Sequence, residues 1–223
     1  MKIMIYLAVW RRPEITEICF MCINRLREAF DIDAFAVISE EEMKPLCDRY
    51  DVKYCMYKNL PLGEKKNYGL SQALKLDWDY LLEIGSDTLV KDKLLRTYTW
   101  DVDVMGALNF GFIHEDGVCR ELKAKVLTFS GGRAISRKAA MSGKLWNDQK
   151  NRGLDNNSLM RLCQAGFFER RFQTDEPLVI DVRGPENIWP DRKSGVKCSF
   201  DYLVNGLSDQ EIKAIRSYVG NQN

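Results

Sequence analysis

Short apolar runs alternate with segments of helical periodicity along the first half of the chain. The apolar runs predict strands over residues 3–9, 34–38, 52–57 and 80–84, and the periodic segments predict helices from residue 13, over 41–50, over 64–76 and over 91–98. Strands that alternate with helices in this way indicate an α/β fold, with a mostly parallel central sheet and helices on both faces.

The second half of the chain has a more mixed pattern. It predicts strands over 102–108, 126–129 and 177–182, a hairpin or loop around 115–117, and helices over 136–144 and 155–165. Ser208 and Glu211 have the spacing of a capping box, which predicts the start of a C-terminal helix. No internal repeat or long linker interrupts the chain, so we expect one domain over residues 1–223.

The composition is that of an ordinary globular protein. Of the 223 residues, 45% are hydrophobic and 29% are charged, which excludes a disordered or collagen-like chain. Lys and Arg number 33 against 32 Asp and Glu, a net charge of +1. This balance argues against general electrostatic binding to nucleic acid or to an anionic membrane. No apolar run approaches the ~18 residues that a transmembrane helix needs.

The seven cysteines have no repeated spacing, and most of them lie in apolar stretches. A reduced, cytoplasmic protein is the simplest explanation. Cys19 and Cys22 form a Cys-x-x-Cys pair, but no second pair is present to complete a zinc site. We therefore interpret both as core residues.

Ligands bind beyond the carboxyl ends of the strands in open α/β sheets. Acidic residues that follow a predicted strand are therefore candidates for ligand binding, whereas those that precede a strand are not. Asp-x-Asp, a pattern that can chelate a divalent cation, occurs at 31/33, 77/79 and 101/103. All three precede or begin strands, so we interpret them as solvated strand entries. Asp87 follows the strand over 80–84 and a turn of small residues. It is a candidate Mg²⁺ or Mn²⁺ ligand or, with similar weight, the cap of the next helix.

Two basic segments also reach the ligand edge. Residues 10–13, Trp-Arg-Arg-Pro, follow the first strand and suit a base or a phosphate, with exposed arginines at a helix entry as the alternative. Lys65 and Lys66 lie in the first turn of a predicted helix, where they oppose the helix dipole. This position favours a bound anion, although a solvent-facing helix start is the commoner use of such lysines.

Two further segments are candidates for ligand contacts. Gly131 and Gly132 lie in Ser-Gly-Gly-Arg-Ala-Ile-Ser, residues 130–136. Paired glycines at a strand end permit close contact with a flat or bulky ligand, and an ordinary tight turn is the alternative. Asp155 lies just before an amphipathic helix and has the chemistry of a general base, although an N-cap is the commoner use of such a residue.

The sequence motifs that identify several other enzyme classes are absent from this chain. His114 is the only histidine, so a histidine-based zinc cluster is excluded. No Gly-x-Ser-x-Gly elbow supports a serine hydrolase. No Gly-x-Gly-x-x-Gly follows the first strand to support a dinucleotide-dependent dehydrogenase, and the phosphate loop with Gly-Lys-Ser/Thr is absent.

In their order along the chain, these segments resemble those of a GT-A-type glycosyltransferase, closest to the family-2-like enzymes. The Arg-Pro helix entry comes first, then Gly-x-x-x-Asn-x-Gly at 63–69 and the strand that ends in an acidic turn. The Gly-Gly segment with Ala-Ile-Ser-Arg and the Leu-Asp at 154–155 follow. The resemblance covers roughly residues 1–170. It implies a GT-A-like fold and transfer of a sugar from a nucleotide-diphospho-sugar donor, with Mn²⁺ or Mg²⁺, to a glycan, lipid-linked or protein acceptor.

The resemblance also assigns roles within the chain. Residues 1–100 would be the nucleotide-binding half, 101–190 the half for donor sugar and acceptor, and 191–223 a C-terminal extension. Asp87 would match the last acidic residue of the metal motif. Asp155 would match the residue that deprotonates the acceptor hydroxyl in inverting members. The donor-binding residues would be Arg11, Ser39, Lys66, Asn67, Gly131 and Gly132.

The chain departs from the family pattern at three points. The metal motif lacks its first carboxylate, since Gly85 stands two residues before Asp87. Leu154 stands where the base motif usually has a second acidic residue. The late histidine that the family often uses as a metal ligand is missing, and Asp181 or Glu186 is a candidate replacement.

Two other functions stay open at this point. The missing first carboxylate favours a non-catalytic nucleotide-sugar-binding module of the same fold. A sugar nucleotidyltransferase has a related fold but normally needs a glycine-rich arginine loop after the first strand. Residues 10–13 have the arginines without the glycines, so this function ranks third.

Overall fold

The computed structural model describes residues 1–124, 131–184 and 194–220. The strands are β1 (Ile3–Ala8), β2 (Ile32–Ile38), β3 (Lys53–Met56), β4 (Tyr80–Gly85), β5 (Thr88–Val90), β6 (Val104–Ala107), β7 (Asn109–His114), β8 (Cys119–Lys123), β9 (Arg133–Ser136), β10 (Glu169–Phe172), β11 (Val179–Arg183) and β12 (Val196–Lys197). The helices are α1 (Pro13–Arg27), α2 (Lys44–Arg49), α3 (Leu62–Ala73), α4 (Asp92–Thr97), α5 (Arg137–Ala140), α6 (Leu154–Gln164), α7 (Phe200–Val204) and α8 (Asp209–Gly220). A 3-10 turn, Glu41–Met43, precedes α2.

The central sheet has seven strands in the order β10-β6-β9-β4-β1-β2-β3. Its strands β3, β2, β1 and β4 pair in parallel, and β9 is inserted antiparallel between β4 and β6. Both faces of β1 are covered, because Ile5 and Leu7 belong to the core cluster that contains α1, whereas Tyr6 belongs to the cluster that contains Leu70 of α3. The predicted α/β fold, with a mostly parallel sheet and helices on both faces, is confirmed.

A second sheet of five strands, in the order β12-β8-β7-β11-β5, accounts for the mixed pattern of the second half. β7 and β8 form the hairpin expected around 115–117. β5 was not predicted, since its three residues are too few to show a period. It leaves the turn after β4 and joins the second sheet, so the two sheets meet at the carboxyl end of β4.

The predicted helix over 136–144 is wrong in extent. Residues 133–136 form β9, and α5 covers only Arg137–Ala140. β9 is fully buried and paired on both sides, so its sheet partners determine its conformation, and its four residues carry no clear pattern of their own. The strand predicted over 126–129 lies outside the described residues.

The carboxylates at the amino ends of the strands have the role that the sequence predicts. Asp33 lies near the start of β2 and forms ion pairs with Lys2 at 3.0 Å and Lys53 at 2.9 Å. Asp79, before β4, accepts a hydrogen bond from the Lys2 backbone N–H over 2.7 Å. These residues fasten strand entries together and lie away from the ligand edge.

Two smaller predictions are also confirmed. Cys19 and Cys22 are buried core residues, and their thiols donate to the carbonyl oxygens of β5. The capping box forms at α8, because Glu211 Oε2 accepts from the Ser208 backbone N–H over 2.6 Å. Within the described ranges, no helix is long and apolar enough to cross a bilayer.

Candidate functional site

Asp87 lies in the turn that links β4 to β5, at the carboxyl edge of the central sheet. β4 ends at Gly85, and a Cβ on that glycine would come within 2.6 Å of Asp87 Oδ1. The carboxylate therefore folds back over the strand end, where glycine leaves room for it. The alternative that Asp87 caps a helix is wrong, because β5 follows it and α4 begins only at Asp92.

The loop after β1 brings an arginine to this carboxylate. Arg12 Nη1 donates to Asp87 Oδ2 over 2.9 Å, and Arg12 Nη2 donates to Ser86 Oγ over 3.2 Å. Arg12 has a left-handed backbone, with φ at 58°, immediately before Pro13 starts α1. Residues with a Cβ rarely adopt this conformation, and such residues cluster at functional sites.

Sequence reasoning selected the neighbouring residue, Arg11, and the structure gives the two arginines different surroundings. The Arg11 side chain is exposed, with its guanidinium 5.1 Å from the Trp10 ring centroid. A donor-binding role for Arg11 stays a prediction. Topology is the signal that points to Arg12: β1 and β4 are parallel neighbours, so the residues that follow them meet at one edge.

A second carboxylate, Asp181, comes from the other sheet. It lies inside β11, opposite Thr88 of the antiparallel strand β5, and the Thr88 hydroxyl donates to Asp181 Oδ1 over 2.7 Å. The Val182 backbone N–H donates to the Asp87 carbonyl oxygen over 2.9 Å, so the two aspartates lie on adjacent backbones. Burial and the Asp87 charge raise the pKa of Asp181 well above its usual range, although Arg183 and Thr88 oppose that rise.

A second cation, Arg183, lies beside Asp181. Its guanidinium is 3.9 Å from Asp181 Oδ2 and 3.8 Å from the Phe112 ring centroid. The two aspartates are thus accompanied by Arg12, from the loop after β1, and Arg183, from the end of β11. Arginine forks match the geometry of phosphate oxygens, so this part of the edge can hold a phosphate-bearing ligand. Glu186, the other candidate ligand from the sequence, lies outside the described residues.

Asp155 lies in the first turn of α6. The N-cap position belongs to Gly153, which has φ at 66°, so the alternative that Asp155 is the N-cap is wrong. The charge of Asp155 adds to the rise of the Asp181 pKa, which places it in the same region. Arg133 donates to the Asp155 carbonyl oxygen from Nη1 and Nη2, each over 3.4 Å, and so supports this turn. The role of Asp155 as a base stays a prediction.

Gly131 and Gly132 directly precede β9, which runs antiparallel to β4, so they too lie at the carboxyl edge. Gly132 N–H donates to the Glu83 carbonyl oxygen over 2.8 Å. A Cβ on Gly131 would lie 3.7 Å from Thr88 Cγ2 and 3.9 Å from Asp181 Oδ1. Gly131 therefore borders the aspartates, and contact of either glycine with a donor stays a prediction.

Lys66 and Asn67 bind other parts of the chain. The Lys66 ammonium pairs with the Glu83 carboxylate and lies 4.5 Å from the Trp146 ring centroid. The Asn67 amide donates to the Trp146 carbonyl oxygen and to Asp148 Oδ1, each over 2.7 Å. The Lys66 ammonium and the Asn67 amide therefore already have partners within the chain. Donor binding by these two residues stays a prediction.

Lys65 is fully buried at the carboxyl edge, where its ammonium links the ends of β1 and β2. It donates to the Val9 carbonyl oxygen and, over 2.6 Å, to Ser39 Oγ. Burial lowers the pKa of Lys65 to about 8, against the opposing effect of Glu40. A solvent-facing helix start is therefore wrong for this residue and for its buried neighbour. Donor binding by Ser39 stays a prediction.

The donor set at this edge fits a hard divalent cation. Within residues 1–124, 131–184 and 194–220, no group of three or more His, Cys, Asp and Glu side chains could hold a metal ion. Asp87 and Asp181 supply two carboxylates, and Mg²⁺ is typically bound by one or two carboxylates together with substrate phosphates. Burial is the main cause of the raised pKa of Asp181, and the neighbouring Asp87 charge adds to it, so a bound cation would favour the ionised form.

The chain matches no protein-family model and no curated protein. Among solved structures, it is similar to residues 1–349 of S. aureus TarS, with a TM-score of 0.59 and 10% identity over 82% of this chain and 60% of that one. The inositol-1-phosphate CTP transferase of T. maritima has a TM-score of 0.56 and 10% identity over 98% and 96% of the two chains. Glucosyl-3-phosphoglycerate synthase of Mycobacterium tuberculosis has a TM-score of 0.51 and 13% identity over 98% and 80%.

At these identities the likeness concerns the fold. The chain spans about three fifths of the TarS fragment and nearly the whole of the T. maritima structure. The proteins named in these structures include a glucosyl-3-phosphoglycerate synthase and an inositol-1-phosphate CTP transferase. The chain has the GT-A-like α/β fold that glycosyltransferases and nucleotidyltransferases share.

Proposed function

We propose that this chain is a glycosyltransferase that moves a sugar from a nucleotide-diphospho-sugar to an acceptor hydroxyl, with Mn²⁺ or Mg²⁺ bound by Asp87 and Asp181. The observation that carries the proposal is the meeting of these two aspartates at the carboxyl edge of a GT-A-like sheet. Ligands bind at this edge in open α/β sheets. The order of motifs along the chain supports the same function.

The charges around the aspartates suit a diphosphate. A divalent cation bound there would neutralise negative charge on the nucleoside diphosphate as it leaves. Arg12 and Arg183 present guanidinium donors beside the two carboxylates and would bind phosphate oxygens. Gly131 would leave space for the donor beside Asp181, because a side chain at that position would point toward Thr88 and Asp181.

Asp155 would act on the acceptor. The acceptor oxygen forms a bond to the anomeric carbon of the sugar, and the bond from that carbon to the diphosphate oxygen breaks. Asp155 takes the proton from the acceptor hydroxyl, and the nucleoside diphosphate leaves with the bonding electron pair. Arg133 holds the Asp155 backbone and would fix the position of the base.

A second candidate is a sugar nucleotidyltransferase, because the T. maritima CTP transferase matches the chain almost from end to end. That reaction would join a nucleoside triphosphate to a sugar phosphate and release pyrophosphate. The loop after β1 favours the first proposal, since residues 9–13 contain no glycine. A binding module without turnover is the remaining alternative.

Thermal unfolding with UDP-, GDP-, dTDP- and CMP-linked sugars, each with and without Mn²⁺, tests the proposal. We expect one donor to stabilise the chain when Mn²⁺ is present, by roughly 2.7 kcal/mol at a hundredfold excess over its dissociation constant. Asp87→Asn should abolish this shift. Asp33→Asn, which changes a carboxylate at the opposite edge, should retain it.

Two further assays separate the alternatives. Release of pyrophosphate from a nucleoside triphosphate and a sugar phosphate would replace the glycosyltransferase by the nucleotidyltransferase. A shift that is independent of the metal and identical in Asp87→Asn would favour the binding module. No shift with any donor would overturn the proposed function.

A further inference from the structure

The C-terminal helix α8 lies antiparallel to α1. At one end, Arg25 near the end of α1 donates from Nε to Glu211 Oε2, near the start of α8, over 2.8 Å. Ile215 and Tyr218 continue the buried face of α8. Because α8 runs back along α1, its last turn reaches the first turn of α1. Arg12 lies there, with its guanidinium on Asp87.

The Tyr218 hydroxyl is placed at this end of the site by steric contact. A Cβ on Gly184, the residue after β11, would come within 2.5 Å of Tyr218 Oη. Tyr218 is only 8% exposed. Its hydroxyl therefore lies between the end of α8 and the end of β11, the strand that carries Asp181 and Arg183.

The charged groups that act on the Tyr218 phenol belong to the candidate site and its surroundings. Burial raises the pKa of Tyr218, Arg12 lowers it, and Asp87 and Glu115 raise it. The phenol is thus within electrostatic range of both members of the Arg12–Asp87 pair. A phenol is a hydrogen-bond donor at neutral pH, and its bonds to charged phosphate oxygens are stronger than bonds between neutral groups.

We propose that Tyr218 is a ligand-binding residue of this site, and that its hydroxyl donates to a phosphate oxygen of the diphosphate held at Asp87 and Arg12. The inference rests on the proposed function. In this proposal α8 lines the phosphate subsite, whereas the family resemblance assigns residues 191–223 only to a C-terminal extension. The last turn of α8 would then lie against the phosphate oxygen that Tyr218 binds.

Tyr218→Phe tests the inference, because it removes the hydroxyl and keeps the ring. The probe is inorganic pyrophosphate with Mn²⁺, which does not depend on the identity of the base. We expect the variant to bind this probe roughly tenfold more weakly than the wild type, with the melting temperature of the free protein unchanged. Tyr202→Phe in α7 is the matched control, because that hydroxyl donates to the Asp175 carbonyl oxygen over 3.3 Å.

The outcomes separate this inference from the proposed function. Equal affinities of Tyr218→Phe and the wild type for Mn²⁺ and pyrophosphate would overturn the inference and leave the proposed function standing. An equal loss in Tyr202→Phe would also overturn it, because the effect would then not be local. A wild type that binds neither pyrophosphate nor UDP, GDP or dTDP with Mn²⁺ would overturn both.

Discussion

The two edges of the central sheet use aspartate in opposite ways. At the amino edge, Asp33 lies between Lys2 and Lys53, so one carboxylate has two cations. At the carboxyl edge, Asp87 and Asp181 lie on adjacent backbones, so two carboxylates are neighbours and each has an arginine beside it, Arg12 or Arg183. The first arrangement fastens strand entries, whereas the second brings two carboxylates and two guanidinium groups together at the edge where ligands bind in open α/β sheets.

The pKa values express the same difference. Burial raises the pKa of Asp33, but the lysines outweigh it and hold the pKa below its usual range. Burial and Asp87 together raise the pKa of Asp181. Clusters of like charge are typical of functional sites, where a cation or substrate completes the charge balance. Strand polarity, rather than the Asp-x-Asp pattern, therefore separates structural from candidate functional carboxylates.

The largest expected effect on stability concerns a buried ion pair near the carboxyl edge. Arg133 is 0% exposed, and its Nε lies 3.5 Å from the Glu169 carboxylate, which is 2% exposed. Loss of Arg133 leaves the buried Glu169 carboxylate with only the partly exposed Arg171, whose Nε lies 3.5 Å away, and breaking a buried pair in this way costs about 3–5 kcal/mol. We expect Arg133→Leu to lower the free energy of unfolding in urea by that amount.

Two controls refine this prediction. Lys53→Leu at the amino edge removes a partly exposed ion pair and should cost less than about 1 kcal/mol. The double variant Arg133→Leu, Glu169→Leu should recover most of the loss, because no unpaired charge remains. An Arg133→Leu variant as stable as Lys53→Leu would show that the two edges do not differ in this respect.

The second prediction uses the buried ammonium of Lys65. Its pKa is about 8 in the folded chain and 10.5 when unfolded. Between these values the unfolded chain binds more protons, so the Lys65 contribution to stability rises with pH and is lost as pH falls through 8. We expect wild type to gain on the order of 2 kcal/mol relative to Lys65→Met between pH 7 and 10.

Lys2 provides the contrast at the amino edge. Asp33 raises the pKa of Lys2, so its contribution is present below 10.5 and is lost as pH rises through the raised value. Lys2→Met should therefore change the pH slope in the opposite sense. The measurement is urea unfolding at several pH values, and equal slopes in Lys65→Met and wild type would contradict the buried charge.

The smallest effect compares two adjacent glycines. Gly132 has φ at +77°, and a Cβ there would lie 2.6 Å from Val179 Cγ2, so Gly132→Ala should cost about 1–2 kcal/mol. Gly131 has only ordinary contacts, so Gly131→Ala should change stability by less than about 0.5 kcal/mol. If Gly131 borders the donor, its variant should weaken donor binding without loss of stability. Equal melting temperatures for both variants would contradict the left-handed backbone and the close Val179 contact at Gly132.

Much of the fold was predictable from local patterns. β1 and β4 are apolar runs buried on both faces, and α1 begins at a proline, so periodicity and helix-start signals suffice there. β5 and β9 were missed because short strands take their conformation from their sheet partners. Local pattern carries no information about such pairing.

The candidate site was predictable only in part. Asp87 follows from strand polarity, because it comes directly after an apolar strand. Arg12 required knowledge that β1 and β4 are neighbours, and Tyr218 required the packing of α8 along α1. Lys66 shows what a local pattern leaves out: its position in the first turn of the predicted helix favours an anion, and the fold adds a buried ion-pair partner, Glu83, that the sequence does not reveal.

The central claim is that Asp87 and Asp181 together form a cation site at the carboxyl edge. Its most direct test is the affinity for Mn²⁺ in the presence of pyrophosphate, measured by the electron paramagnetic resonance signal of free Mn²⁺. We predict that Asp87→Asn and Asp181→Asn each lose at least about tenfold in affinity, equivalent to 1.4 kcal/mol, while Asp33→Asn binds as the wild type does. Equal affinities in all four proteins would contradict the account.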